Sequence, residues 1–324
     1  MFAEDLLRDL RKEGFTPTSV ARYLRRILAR IVGTLAERAD LVRSVAGTSF
    51  VLFAIQFGAA LLLSWAFGRR VGVTYIIASS VTLLIASFWI LAHIGLAGTP
   101  EVRSLRRIPL PVALTLLRLA AVPAIVLLAR EGRWSVVVWL FAASAFTDVL
   151  DGVVARALHM ESIIGAVLDP AIDVFFNATV FIALTVFGAL PWWVTALMLA
   201  RYGILILGTC YLYLFHGPVK IQPTAFGKLT GLVTSVLVGF LLLGLAYWSD
   251  TMRSRLKEVF DVGLGVLAGA TIIQVLFIGL ANKRALDQDR LLEQILPPPP
   301  PQGLDPESRA GSGKVVGDVR WPRR

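Results

Sequence analysis

Residues 134–155 read WSVVVWLFAASAFTDVLDGVVA, an apolar segment that carries two aspartates near its end. A helix needs about 20 mostly apolar residues to cross the hydrocarbon core of a bilayer, so the segment predicts a membrane-spanning helix. The rest of the chain has a similar character, because 56% of its 324 residues are hydrophobic and only 17% are charged. A water-soluble fold with this composition would expose much apolar surface, which argues against a soluble globular protein.

Further apolar segments of spanning length lie between Ala46 and Asn282, so the sequence predicts an all-α, polytopic integral membrane protein with eight spans. The expected spans are 46–67, 71–95, 108–129, 134–155, 164–187, 191–215, 228–248 and 259–281. Most Lys and Arg residues outside these spans fall on the side that holds both termini, and such an excess marks the cytoplasmic side. We therefore expect cytoplasmic termini, in a protein of the bacterial inner membrane.

The two terminal regions differ from the spans. Residues 1–45 contain a basic amphipathic helix, with apolar residues at helical spacing opposite a row of arginines. Such a helix can lie on an anionic membrane surface or pack against its own protein, and the pattern leaves both open. Residues 284–324 predict a disordered, proline-rich cytoplasmic tail, with a polyproline docking site as the alternative. The net charge of +10 fits this topology, so we expect membrane lipids and no nucleic acid as partners.

Four aspartates lie in two consecutive predicted spans. Asp148 and Asp151 are near the end of one span, and Asp169 and Asp173 are near the start of the next. Their i,i+3 and i,i+4 spacings put each pair on one helix face, and antiparallel neighbours would bring both pairs to the cytoplasmic end. Because one ionised aspartate at mid-membrane costs about 2.5–3.5 kcal/mol, the four carboxylates need compensation.

Two kinds of compensation fit this predicted cluster. Oxygen ligands without His or Cys are typical of a hard divalent cation, which favours Mg²⁺ or Mn²⁺ and suggests two ions. The alternative is that some carboxylates are protonated or paired with Arg156 or Arg201. The charge spacing alone leaves both open.

Residues 148–173 read DVLDGVVAR, then eight residues, then GAVLDPAID. This string resembles the signature of the CDP-alcohol phosphatidyltransferases, D-x2-D-G-x2-A-R-x8-G-x3-D-x3-D, at all eight fixed positions and in every gap. Weaker similarities lie at 108–118 and 223–228. The resemblance covers about 99–283, which would form the six-helix catalytic membrane domain of that family, and leaves 46–98 as two additional transmembrane helices.

The resemblance implies a transferase that couples a CDP-linked lipid donor to a small alcohol acceptor and releases CMP. The metal ions would be held by Asp148, Asp151 and Asp169, with Asp173 also near them, and would neutralise the pyrophosphate. Asp173 would be the general base that accepts the proton of the acceptor hydroxyl. The resemblance also implies a homodimer.

The same resemblance implies a nucleotide site on these two spans. Its expected residues are Asp148, Gly152, Ala155, Arg156 and Gly165. The small side chains among them would let the nucleotide approach the helix backbone. The arginine would pair with a donor phosphate.

Three further cationic residues are candidate ligands for a phosphate of the donor or the acceptor. Arg118 and Arg201 lie inside predicted spans, and Lys228 begins another. An intramembrane arginine needs an anionic partner, which is either a substrate phosphate or one of the four aspartates. Lys228 is alternatively an ordinary interfacial anchor.

The acceptor is less well defined by the sequence. Asp169-Pro170 and the segment 223–228 look most like the branch that makes phosphatidylglycerophosphate, or cardiolipin with CMP release, so we expect an acceptor of the glycerol 3-phosphate or phosphatidylglycerol type. Val174 and Tyr202 replace a lysine and an acid that are usual in that branch, which keeps neutral or amino-alcohol acceptors such as inositol, serine or choline open. A divalent-cation transporter is the alternative from another class, because intramembrane carboxylates also suit ion passage.

Overall fold

The computed structural model describes residue 14 and residues 16–96, 107–157, 163–215 and 225–295. These residues form nine helices: α1 (Pro17–Glu37), α2 (Ala39–Phe67), α3 (Arg69–Leu96), α4 (Leu110–Arg130), α5 (Trp134–Ala157), α6 (Ile163–Val186), α7 (Trp192–Phe215), α8 (Ala225–Tyr247) and α9 (Asp250–Ile295). Helices α2 to α9 each contain a segment long and apolar enough to cross a membrane. The prediction of a polytopic all-α integral membrane protein with eight spans is confirmed.

Local sequence signals account for several helix ends. α1 begins after Thr16, whose Oγ1 accepts a hydrogen bond from the backbone N–H of Ser19 at 3.3 Å, and Pro17 follows at the first helical position, where it needs no N–H. Gly68 alone joins α2 to α3, with a φ of 96° that a residue with a Cβ rarely adopts. This sharp turn folds α3 back along α2, and the two helices pack together.

α4 is the most deeply buried span of the described bundle. It packs against α2, α3, α5 and α6, and 67% of its apolar window is buried, against at most 33% in any other span. Ile125 and Leu128 of α4 are 2% and 0% exposed. Polar side chains on this helix are therefore held inside the protein and must find partners there.

The two additional helices are integrated with the rest of the bundle. α3 packs against α1, α2 and α4, and α2 also contacts α4. The segment before α4 is tied to α2 because the backbone N–H of Ile108 donates to Ser44 Oγ at 2.9 Å. The residues that precede the six-helix unit thus help to form its walls.

The basic amphipathic helix expected near the N-terminus is α1. It packs against α3 and yet exposes Leu24, Leu28 and Val32 by 52%, 60% and 67%. One face of α1 is thus supported by the protein, while apolar side chains on another remain available to the membrane.

α9 differs from the expectation at both ends. It starts at Asp250 and continues to Ile295, so the boundary predicted at residue 284 for a disordered tail lies inside a helix. Residues 284–295 consist mostly of strong helix formers, and extending an existing helix costs far less than starting one. The predicted tail beyond residue 295, the first 13 residues and the turn expected near His159 lie outside the described residues.

Candidate active site

α4 carries two buried polar residues one helical turn apart. Thr115 is fully buried and Arg118 is 5% exposed. Their i,i+3 spacing places them on the same face of the helix. An arginine buried in a membrane helix needs anionic partners, and the neighbouring helices α5 and α6 supply them.

The first group of contacts, which we call the arginine layer, consists of Arg118, Asp148 and Asp173. Arg118 Nη1 donates to Asp148 Oδ1 on α5 and lies 2.8 Å from Asp173 Oδ1 on α6. The guanidinium side chain is 4% exposed, whereas the two aspartate side chains are 47% and 44% exposed. A buried cation thus holds two carboxylates that remain accessible to a ligand.

The second group, the threonine layer, consists of Thr115, Asp151 and Asp169. Thr115 Oγ1 lies 2.8 Å from Asp169 Oδ1 and 3.3 Å from Asp151 Oδ2, and also 3.1 Å from the carbonyl oxygen of Pro111. A hydroxyl donates only one proton, and the shortest of these distances favours donation to Asp169. The carboxylate of Asp151, in a residue only 7% exposed, is therefore left with little compensation from the described side chains.

The pairing of the aspartates follows from the packing of α5 and α6 against α4. α5 and α6 are consecutive spans that both pack against α4, so side chains of α4 can contact aspartates of both helices at the same level. Asp151 and Asp169 are nearest the connection and share Thr115, whereas Asp148 and Asp173 lie one turn further away and share Arg118. The structure therefore brings all four predicted aspartates together in two layers. α4 contacts one layer through Thr115 and the other through Arg118, which lie one helical turn apart.

The donor set of the two layers fits a hard divalent cation, because it consists of carboxylate and hydroxyl oxygens. Within the described residues, no group of three or more His, Cys, Asp or Glu side chains is already placed to hold a metal ion. Arg118 and Thr115 lie between the carboxylates, and each contacts one oxygen of two of them. Binding an ion would require the carboxylates to move closer together.

The structure describes some of the remaining residues that the sequence predicts to bind nucleotide or phosphate. Gly152 is partly buried on α5, and Gly165 is buried near the start of α6. Arg201 stacks its guanidinium 5.5 Å from the ring centre of Tyr202, and within the described part of the chain none of the four aspartates is its ion-pair partner. The residues whose side chains lie outside the description are Ala155, Arg156 and Lys228.

Thr115 is the site residue that the sequence reasoning missed. It lies in the segment 108–118 that is similar to the family, but this similarity implies no role for it. The available signal was its position three residues before an intramembrane arginine, which predicts a shared helix face. What remained hidden was that this face meets the four aspartates.

Eight helices that can span a membrane, three of which bring four carboxylates together, define an integral membrane protein with a polar site between its helices. A sequence profile of the CDP-alcohol phosphatidyltransferases matches residues 108–277, and the chain belongs to this family. It is therefore a transferase that acts on a CDP-linked lipid donor and an alcohol acceptor in a membrane. The matched region begins just before α4 and ends within α9, so it contains both layers of the site and excludes α1 to α3.

Several curated proteins are similar to this chain. One from Mycobacterium tuberculosis, named "Putative cardiolipin synthase", is 35% identical over 150 residues, which is 45% of this chain and 69% of the relative. Another from the same organism, named "Probable phosphatidylglycerophosphate synthase", is 35% identical over 158 residues, or 47% and 71%. The CDP-diacylglycerol--glycerol-3-phosphate 3-phosphatidyltransferase 2 of Arabidopsis thaliana is 37% identical over 121 residues, or 34% and 52%. No solved structure matches the chain significantly.

Proposed function

We propose that this protein transfers the phosphatidyl group of CDP-diacylglycerol to the hydroxyl of glycerol 3-phosphate or phosphatidylglycerol and releases CMP. The observation that carries the proposal is the convergence of four carboxylates from α5 and α6 on Thr115 and Arg118 of α4. The acceptor class is supported by relatives named for phosphatidylglycerophosphate and cardiolipin synthesis. The family membership favours this reaction over divalent-cation transport, since transport gives no reason for the small residues and arginine of the motif.

Asp173 has the position that a general base requires. Its side chain is 44% exposed, so an acceptor hydroxyl can reach it, and Arg118 Nη1 orients it from 2.8 Å. In the proposed step the acceptor oxygen bonds to the β-phosphorus, the bond from that phosphorus to the CMP oxygen breaks, and the hydroxyl proton passes to Asp173. CMP leaves with the electron pair of the broken bond.

The four aspartates are the residues that would hold Mg²⁺ or Mn²⁺, and two ions would suit their number. When bound, the ions would neutralise the pyrophosphate charge and stabilise the leaving CMP. The threonine layer supports this proposal best, because Asp151 is buried and shares with Asp169 a hydroxyl that has only one proton. Arg118 can contribute a phosphate contact from the arginine layer, and Arg201 and Lys228 remain further candidates.

We place the aspartate end of the bundle and both termini in the cytoplasm, with the protein in the bacterial inner membrane. The support is the excess of Lys and Arg outside the spans on that side, together with the positive-inside rule. The proposal includes a homodimer, which the family resemblance implies. The molar mass of the purified protein in detergent tests the dimer, and labelling of cysteines introduced into the loops tests the orientation.

The reaction is tested with purified protein, CDP-diacylglycerol, Mg²⁺ and a panel of acceptors, by measuring both CMP and the lipid product. We expect turnover with glycerol 3-phosphate or phosphatidylglycerol. Turnover only with inositol, serine or choline would show that the proposed acceptor is wrong, while the transfer of the phosphatidyl group with release of CMP would still hold. Absence of CMP release with every acceptor, together with cation flux in nucleotide-free liposomes, would overturn the proposal in favour of a transporter.

A further inference from the structure

A cavity of about 340 Å³ lies between the additional helices and the family unit. α2 and α3 supply Gln56, Ala59 and Tyr75 to its wall, and α4 and α5 supply most of the remaining wall. The family profile begins at residue 108. The cavity is therefore a feature that the first two spans of this chain add to the family unit.

The cavity adjoins the active site through one side chain. Arg118 belongs to its lining, while Nη1 of the same guanidinium contacts the carboxylates of the arginine layer. Among the described residues, the buried Nε and Nη2 atoms of Arg118 have no hydrogen-bond partner. Gln56 also lines the cavity and is 1% exposed, and its Oε1 has no hydrogen-bond partner in the described part of the chain. Three buried polar atoms without a described partner, in a mostly apolar cavity, favour a ligand that is apolar along most of its length and carries polar groups at one end.

The length and opening of the cavity suit a lipid chain. Its lining on α4 extends from Leu117 to Leu128, which is about 16 Å at 1.5 Å per residue. This is close to half of the roughly 30 Å hydrocarbon thickness, the length available to one acyl chain in a leaflet. Ile55 and Leu62 also line the cavity and are 49% and 67% exposed, so it opens sideways between residues that face the bilayer.

We propose that this cavity binds one acyl chain of the CDP-linked lipid donor, with the oxygens of the lipid backbone directed to Nε and Nη2 of Arg118. The guanidinium would then contact the carboxylates with one edge and the donor lipid with the other. The inference rests on the proposed function and assigns a role to α2 and α3. It predicts that these helices make the enzyme selective for donors according to the length of their acyl chains.

Ala59 offers a direct test, because it lines the cavity and a larger side chain there would fill the space. A59F should raise KM for a donor with long acyl chains about tenfold, in line with the effect of a steric misfit in an apolar pocket. It should keep turnover of a donor with four-carbon chains, which do not reach along the cavity. Ala54 lies on the same helix, is exposed and is outside the cavity lining, so A54F is the matched control and should behave as the unmodified protein with both donors.

The outcomes separate this inference from the proposed function. Equal KM values of A59F and A54F for the long-chain donor would overturn the acyl-chain site, while CMP release by both would leave the transferase reaction intact. Loss of dimerisation in A59F with an unchanged KM would assign the cavity to a second copy of the chain and would also overturn the inference. If A59F fails to fold, A59L is compared with A54L by the same criteria. Failure of the unmodified protein to release CMP from any donor would count against the proposed function itself.

Discussion

Asp173→Asn is the most direct test of the proposed chemistry, because it removes the base and keeps the shape of the side chain. The asparagine retains a side-chain oxygen that can stay in contact with Arg118 Nη1, which lies 2.8 Å from Asp173 Oδ1. The change should therefore preserve the contact between α4 and α6. It removes one negative charge and the capacity to accept the acceptor proton at neutral pH.

The expected loss in turnover follows from this role. General-base catalysis contributes about 10²–10⁴-fold to a rate, which corresponds to roughly 2.7–5.5 kcal/mol of barrier. The assay is CMP release per enzyme at saturating CDP-diacylglycerol, Mg²⁺ and acceptor, so that weaker substrate binding does not imitate a slower step. Thermal unfolding in detergent, measured in parallel, should change little.

The control is Asp261→Asn on α9. Asp261 also has a buried carboxylate oxygen and a cationic partner, Lys257 Nζ at 3.1 Å, but Lys257 lines a cavity with Trp134 at the opposite end of α5 from the aspartates. D261N should keep normal turnover. If D173N released CMP as fast as D261N, Asp173 would not be the base, and the assignment of its role would be wrong.

Two further predictions concern the threonine layer and the metal. Thr115→Val keeps the side-chain shape but removes the hydroxyl at 2.8 Å from Asp169, so turnover should fall about tenfold or more, as is usual when a residue that orients a metal ligand is lost. The control is Thr271→Val, a buried threonine on α9 that donates only to a nearby backbone carbonyl; equal turnover of the two variants would refute the role of Thr115. Excess chelator should abolish CMP release and added Mg²⁺ or Mn²⁺ should restore it, whereas full activity in chelator would contradict the metal proposal.

The spans were predictable because each is a local pattern. The eight apolar segments are long enough to require a helix and a bilayer, and the structure places a helix over each of them. The continuation of α9 beyond residue 283 was not predicted, because a polar composition by itself favours disorder. The residues after 283 are polar but include many strong helix formers, so they favour continuation of the helix that precedes them.

The sequence predicted those features of the site that depend on the residue spacing within a single helix. The spacings within α5 and α6 were enough to put two aspartates on one face of each helix. The partners of Arg118 were left open between a substrate phosphate and an aspartate, because they depend on the rotation and axial shift of α4 against its neighbours. In the structure α4 packs against both α5 and α6, and Arg118 pairs with Asp148 and Asp173, which is the second of these two alternatives.

The division into two layers predicts that the four aspartates differ in how they bind metal before the nucleotide arrives. Asp148 and Asp173 already share a guanidinium, whereas Asp151 and Asp169 share a neutral hydroxyl. Because a buried carboxylate without a cation is costly, the first ion should bind most tightly in the threonine layer. In a Mn²⁺ titration of the nucleotide-free protein followed by electron paramagnetic resonance, Asp151→Asn should weaken binding about tenfold or more, and Asp148→Asn should weaken it clearly less. An equal loss of Mn²⁺ affinity in the two variants would mean that the first ion already displaces Arg118 from its carboxylates. The two layers would then not differ in metal binding, and the prediction would be wrong.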